Sequence, residues 1–420
     1  MNREERAWVL YDVGNSAFVL VMVTAIMPLF YKEVAAAGMS AAQSTAHWGF
    51  ANSLSSLLLA LAAPLLGAIA DRSGRRKGFF VAFLAVGIVF TLALAAVGQG
   101  QWLLCLLLFV AARLGWAGAN IFYDAFLPDV ASVERRDLVS ARGYAYGYIG
   151  SVVPFVAIIL LLLAAGLEGG LPADAARLGF VVVALWWLAL SLPALRHLRA
   201  RREVQPVAEQ GWSGLWRTLA DIRRHRQAAL FLLAYFFYID GVDTIIAMAT
   251  AYGRDLGFGV GLLIAVLLVI QIVAFPCALA FGRLARRFSA KRMILAGIAV
   301  YAVVVAVAFL LPGIASIELK TLLFWVIAVL VASAMGGIQA LSRSLFCRLI
   351  PPGRNAEYFG FYNVFGKFAA ITGPFLMGLI THQSGDSRWG VLSILALLLI
   401  GAWLLALVRA EEGGDADGRA

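Results

Sequence analysis

Two carboxylates, Asp240 and Asp243, lie three residues apart within a long apolar run. On a helix this spacing places both on one face, together with Thr244, and two negative charges in an apolar medium repel each other. One carboxylate is therefore expected to hold a proton, which suits a proton-coupling site. The alternative is that one of them forms an ion pair with Arg113.

A second polar stripe consists of Arg113, Asn120 and Asp124, whose spacings of seven and four residues place them along one side of a helix. Arg113 cannot lose its charge. It can bind the carboxylate of an anionic or zwitterionic substrate, or form an internal ion pair that holds helices together, and both interpretations stay open. Asp124 adds a titratable group, and we count it with Asp240 and Asp243 as a candidate for proton coupling.

Other polar residues occur in short-range pairs, and we interpret these pairs as gating contacts between helices. For Asp12 the alternative is a helix cap, and for the pairs in the tenth and eleventh spans the alternative is substrate binding. Gln271 stands alone in its apolar run, where a hydrogen bond between helices is the alternative to a substrate contact. With Gln271, the candidate substrate-binding residues are Arg113, Asn120 and Asp240. The gating pairs are Asp12 with Asn15, Gln339 with Arg343, and Asn363 with Lys367.

The elements that position these residues follow from composition. Of the 420 residues, 62% are hydrophobic and 14% are charged, against about 45–50% and about 25% in soluble domains, and the mean hydropathy is +0.87. A spanning helix needs about 20 apolar residues, and the runs lack the two-residue alternation of strands. The sequence therefore predicts an all-α polytopic membrane protein with twelve spans, at 8–31, 47–70, 78–98, 102–125, 143–165, 177–196, 229–250, 260–282, 293–312, 321–343, 360–381 and 388–409.

Charge sets the predicted orientation. Most of the 34 Lys and Arg residues fall in connections on one side, which predicts that this side and both termini are cytoplasmic. The net charge of +10 is thereby explained without nucleic acid. The predicted domains are a six-helix half at 1–196, a linker at 197–228 that contains a helix on the membrane surface, a second six-helix half at 229–409 and a disordered tail at 410–420.

The connection between the second and third spans carries a compact motif. A glycine permits close helix approach, an aspartate can sit at a neighbouring helix N-terminus, and the arginines can reach carboxylates such as Asp129. A partial copy at 281–292 follows the eighth span, as a duplication predicts. The motif resembles the signature between helices two and three of the major facilitator superfamily of transporters. We predict that it is a conformational latch formed by Gly67, Asp71, Arg72, Gly74, Arg75 and Arg76.

Four further segments are similar to the vacuole effluxer-like branch of that superfamily, named for a fungal permease linked to autophagy. They begin at Trp8, Phe122, Gly337 and Glu357. One departure is Asp124, where the family pattern usually has asparagine. The resemblance implies a major facilitator fold and secondary transport by alternating access, with export of amino acids as the associated activity.

The function expected from these features is proton-coupled transport of a small polar metabolite, with amino-acid efflux the first choice. The chain has no P-loop, so gradients rather than ATP should drive movement. A lipid or lysolipid transporter of the same fold is the alternative, and a membrane-embedded enzyme is more remote, because no nucleophile–base or metal motif is present. We expect a monomer in the cell (inner) membrane, whose partners are lipid, solute and protons, with no cofactor or metal.

Overall fold

The computed structural model describes residues 1–39, 41–166, 171–199, 225–351, 354–384 and 387–409. Within these ranges the chain forms twelve long helices and no strand. The first, α1, spans Arg3–Ala35 and is α-helical to Phe18, with π-helical turns beyond. The others are α2 (Ala41–Ser73), α3 (Arg76–Ala93), α4 (Trp102–Ala125), α5 (Arg136–Ala165), α6 (Ala173–His197), α7 (Arg226–Asp255), α8 (Val260–Phe288), α9 (Ala290–Leu310), α10 (Ile317–Leu349), α11 (Asn355–Ser384) and α12 (Ser387–Leu407).

The all-α membrane fold predicted from hydropathy is confirmed. Among the described residues, eleven helices are long and apolar enough to cross a membrane, and α11 occupies the position of the remaining predicted span. The predicted surface helix of the linker and the tail at 410–420 lie outside the described residues.

The helix pairs repeat with a shift of six. Helix α1 packs on α5 and α6, as α7 packs on α11 and α12, and the pair α3–α4 corresponds to α9–α10. The halves α1–α6 and α7–α12 meet mainly through α2 against α11 and α5 against α8. This duplication is the arrangement on which rocking of two halves depends.

Several helices extend past the predicted spans. Helix α10 continues to Leu349 rather than ending near 343, and α5 begins at Arg136 rather than near 143. Hydropathy falls at these ends because the added turns carry polar side chains, yet Asp137 and Ser344 are buried and hydrogen-bonded to each other. Satisfied polar groups can be buried between helices, so hydropathy alone places these helix ends too early.

One end of the bundle carries the N-terminus and the connections α2–α3, α4–α5 and α10–α11, and we call it the basic end. Here α2 and α11 approach backbone to backbone. A Cβ atom at Gly67 would overlap the carbonyl of Ala356, and one at Gly360 would lie 2.9 Å from the carbonyl oxygen of Ala63. Glycine is needed at both positions for this close approach.

Replacing Gly67 with alanine is expected to force α2 and α11 apart, at a cost of about 1–3 kcal/mol from overpacking. Thermal unfolding of the purified protein should show a lower Tm for Gly67→Ala. The control is Gly49→Ala on the same helix, where a Cβ atom meets nothing within 4 Å and no loss is expected. An unchanged Tm in Gly67→Ala would contradict the close α2–α11 contact.

Candidate gate and transport site

A buried arginine joins the two halves at the basic end. The Arg343 side chain on α10 is 2% exposed. Its Nη1 donates to Asp124 Oδ1 at 3.1 Å, its Nη2 to Asp12 Oδ2 at 3.2 Å, and its Nε to Ser140 Oγ at 2.9 Å. These partners lie on α4, α1 and α5, so every one of them belongs to the opposite half. We call Arg343, Asp12, Asp124 and Ser140 the gate cluster.

Neighbouring side chains orient the gate cluster. Asp12 Oδ1 accepts a hydrogen bond from Asn15 Nδ2 at 3.1 Å, and Asp124 Oδ2 accepts one from Asn363 Nδ2 at 3.4 Å. The guanidinium carbon of Arg343 lies 4.5 Å from the ring centroids of both Trp8 and Tyr144. These aromatic faces stabilise a desolvated cation, so the carboxylates and the rings together hold the charge between the halves.

Gly143 makes room for the gate cluster on α5. A Cβ atom there would overlap Asp12 Oδ2 and lie 3.0 Å from Arg343 Nη2. Sequence reasoning missed the contribution of Ser140 and Gly143 to the gate. Asp137, Ser140 and Gly143 follow each other at intervals of three residues, which places them on one face at the start of α5. This spacing was the available signal.

The motif between α2 and α3 forms a second link between the halves. Asp71 Oδ1 accepts a hydrogen bond from Arg76 Nη2 at 2.9 Å, and Arg76 Nη1 donates to Asp129 Oδ2 at 2.6 Å. The other Asp71 oxygen accepts the backbone N–H of Glu357 at 3.0 Å. Glu357 is in the first turn of α11, where the helix dipole favours a negative charge. The geometry suits the predicted latch.

The remaining motif residues have different positions. Gly74 adopts a φ of 64°, which favours glycine, in the turn between α2 and α3. Arg75 is exposed at the start of α3 and Arg72 is partly exposed. Arg76, which is buried, forms ion pairs with Asp71 and Asp129.

Further contacts extend the interface along α5 and α10. Tyr148 Oη donates to Gln339 Oε1 at 2.8 Å, and Asp137 accepts hydrogen bonds from both Ser344 and Arg348. Of the predicted gating residues, Gln339 and Asn363 thus contact the opposite half directly. The Lys367 side chain lies outside the described residues.

The candidate proton-coupling residue Asp240 is fully buried on α7. Its Oδ1 accepts the backbone N–H of Gly373 at 2.7 Å and the Thr244 hydroxyl at 3.4 Å. Its Oδ2 has no hydrogen-bond partner within the described part of the chain. Asp243, nearly one turn further along α7, is partly exposed. A carboxylate is thus docked on the backbone of α11.

The polar residues of α4 contact α1 and α2. Arg113 is partly exposed, and its hydrogen bonds within the described ranges go to the side chain and carbonyl of Asn52. Asn120 Nδ2 donates to Asn15 Oδ1 at 3.4 Å, and Trp116 Nε1 donates to the same oxygen at 3.2 Å. No described hydrogen bond joins Arg113 to Asp240.

Gln271 bridges the halves at α8, where its Nε2 donates to Ser151 Oγ on α5 at 3.1 Å. The structure therefore brings Asp12, Asn15, Arg343 and Asn363 into one network with Asp124. Gln339 and Asp71 contact the opposite half through separate hydrogen bonds. The structure leaves Arg113, Asp240 and Gln271 on three separate helices with separate partners.

Two six-helix halves joined by polar contacts at one end define a transporter of the major facilitator type. The sequence model of the protein family described as "Vacuole effluxer Atg22 like" matches residues 40–417, and the chain belongs to this family. The resemblance noted in the sequence is thereby confirmed. The chain is a transporter rather than an enzyme.

Relatives at two levels of sequence identity support this assignment. The chain is 44% identical over 420 residues to the uncharacterized MFS-type transporter YxiO of Bacillus subtilis strain 168, covering 98% of this chain and 96% of YxiO. It is 28% identical over 295 residues to Autophagy-related protein 22-1 of Aspergillus niger, covering 66% of this chain. It spans about half, 47%, of that fungal protein.

Solved structures share the fold. FucP in its outward conformation matches with a TM-score of 0.71 and 14% identity, covering 97% of this chain and 98% of FucP. The human organic anion transporter MFSD10 matches with a TM-score of 0.72 and 16% identity, covering 96% and 99%. At these identities the likeness concerns the fold.

Replacing Arg343 with glutamine is expected to open the basic end. It leaves two buried carboxylates without their cation, and breaking a buried ion pair costs about 3–5 kcal/mol. The reporter is alkylation of Cys347, buried on α10, in a chain whose Cys105 and Cys277 are replaced by alanine. We expect labelling of Arg343→Gln to be at least about tenfold faster, since about 1.4 kcal/mol already gives a factor of ten.

The matched control is Arg135→Gln, which removes a half-exposed arginine that pairs with Glu5 inside the same half. It should leave labelling unchanged. Equal labelling of Arg343→Gln and the parent chain, with both folded, would contradict a gate role for Arg343.

Proposed function

We propose that this chain exports small zwitterionic solutes, amino acids in the first instance, across the cell membrane by proton-coupled alternating access. The observation that supports this most is the gate cluster, which joins the halves through ionic contacts. Water can replace such contacts when the halves separate, so an end closed by them can open again. The proposed orientation places the basic end in the cytoplasm, because basic connections favour that side.

Arg113 is the proposed site for the solute carboxylate. It is a permanent cation on α4, and Asn52 leaves most of its five N–H donors for a ligand. A carboxylate is the group that a guanidinium binds best. Asn120 and Trp116 lie on the same helix and add polar contacts near this position.

The opposite charge comes from the other half. Asp243 is partly exposed and can bind an ammonium group, while Gln271 can donate or accept a hydrogen bond at the interface. A solute that carries both charges would therefore contact both halves and follow their rocking. The family description, which names a vacuole effluxer, favours efflux as the direction.

Asp240 is the proposed coupling site. Its carboxylate is buried against the Gly373 N–H, and a Cβ atom at Gly373 would overlap Asp240 Oδ1. Gain or loss of a proton there changes the charge between α7 and α11, where α11 contains Pro374, which has no N–H for a hydrogen bond within the helix. Intramembrane carboxylates commonly serve as proton relays.

Arg113→Ala is expected to abolish amino-acid counterflow, because the solute carboxylate loses its cation. Proteoliposomes loaded with pooled unlabelled amino acids should accumulate labelled ones with the parent chain and with Arg286→Ala, which removes an exposed arginine. Solute-induced thermal stabilisation should disappear only in Arg113→Ala. Counterflow that survives in this variant refutes the binding role, and no counterflow in any folded preparation points to lipid or another metabolite.

Asp240→Asn is expected to stop proton-driven flux while exchange continues, because asparagine keeps a carbonyl acceptor for Gly373 but cannot bind the coupling proton. A pH-sensitive dye inside the liposomes reports proton movement beside solute exchange. The comparison is Asp174→Asn, an exposed carboxylate outside the interface. Coupled flux in Asp240→Asn equal to that of the parent chain would remove Asp240 from the mechanism.

A further inference from the structure

We propose that the gate cluster is itself a proton-binding site: one of the two carboxylates, Asp12 or Asp124, holds a proton while the basic end is closed and loses it when that end opens. The proton balances the second carboxylate, so opening the gate and releasing the proton are one event. This inference rests on the proposed function only in requiring that the basic end opens.

The closed gate contains more carboxylates than cations. Among the described residues, Arg343 is the one cation that contacts the cluster, and it faces two carboxylates that are 7% and 8% exposed. With both carboxylates ionised, the sealed cluster would carry a net charge of −1. Burial of an unbalanced charge is unfavourable, and one bound proton removes it.

Among the described side chains, the groups other than Arg343 that surround the two carboxylates are neutral. Helix α1 presents Trp8, Tyr11 and Asn15, α4 presents Tyr123, α5 presents Ser140 and Tyr144, and α11 presents Asn363. The amides of Asn15 and Asn363 donate hydrogen bonds but add no charge. Lys367 lies one turn from Asn363 on α11, and the experiment therefore includes it.

The neighbouring Arg76 cluster shows why the gate cluster differs. Arg76 also faces two carboxylates, Asp71 and Asp129. There, however, Asp71 accepts the Glu357 N–H in the first turn of α11, where the helix dipole supplies about half a positive charge. Within the described residues, the carboxylates of the gate cluster accept hydrogen bonds from Arg343 and from the side-chain amides of Asn15 and Asn363, so the second carboxylate has no equivalent compensation.

The proposed proton makes opening of the basic end depend on pH. The closed state binds one proton more than the open state, in which both carboxylates face water and ionise. Low pH therefore favours the closed basic end, and rising pH favours the open one. For a single linked proton the ratio of closed to open molecules changes by at most about tenfold per pH unit.

The test measures this ratio without any solute. Double electron–electron resonance reports the distance between the halves from two spin labels. One label is attached at Ser132→Cys, in the α4–α5 connection, and the other at Arg286→Cys, near the end of α8. The chain has its three native cysteines replaced and is placed in lipid nanodiscs between pH 5 and 9. We expect the short-distance population of the parent chain to fall as pH rises, and Arg343→Gln provides the open reference.

Two isosteric variants remove the proton site. Asp124→Asn and Asp12→Asn each leave one carboxylate for Arg343, so both should stay closed at every pH. Asp174→Asn should keep the slope of the parent chain. The same result is predicted for both variants. If one of them fails to fold, the other still tests the proposal.

Four results would overturn the proposal. These are a flat profile in the parent chain, a slope that persists in both Asp124→Asn and Asp12→Asn, a slope abolished only by Asp240→Asn, and a slope that appears only in Lys367→Gln. The last would mean that Lys367 already balances the cluster. Failure of amino-acid transport would not alter these distances, whereas a short distance even in Arg343→Gln would refute opening of this end and hence alternating access.

Discussion

The closed basic end depends on one buried guanidinium. Arg343 is buried away from water between two halves whose contact at this point is entirely non-covalent. Its desolvation would be unfavourable without compensation. Asp12, Asp124 and the Ser140 hydroxyl provide it, all from the other half. Closing the end and satisfying Arg343 are therefore the same process, and an apolar residue at 343 could not make closure reversible in this way.

The surrounding interface is built to let this cluster form. Glycines at 67 and 360 bring α2 and α11 into backbone contact, which places the start of α11 within reach of Asp71. Gly143 likewise lets α5 pack closely beside Asp12 on α1. These positions need small residues because a side chain would separate the helices that carry the charges. The ionic links and the tight helix contacts are thus parts of one interface.

Local pattern was enough for the helices but not for their partners. Apolar runs of about 20 residues predict where spans lie, and the partial copy of the motif at 281–292, with the linker at 197–228, indicates two halves. The sequence also marked Asp12, Asp124 and Arg343 as unusual. Their meeting could not be predicted, because Arg343 is 331 residues from Asp12 and 219 from Asp124. Likewise, nothing local to Arg113 indicated Asn52 as its partner, and hydropathy could not show that polar turns at the ends of α5 and α10 are buried.

The most direct test of the central claim is an electron-microscopy structure of Arg343→Gln in nanodiscs, with a bound antibody fragment to aid alignment. The account predicts that α2 and α11, and likewise α5 and α8, separate at the basic end while each six-helix half keeps its own packing. A structure in which the basic end stays closed, with Asp12 and Asp124 still buried between the halves, would contradict it.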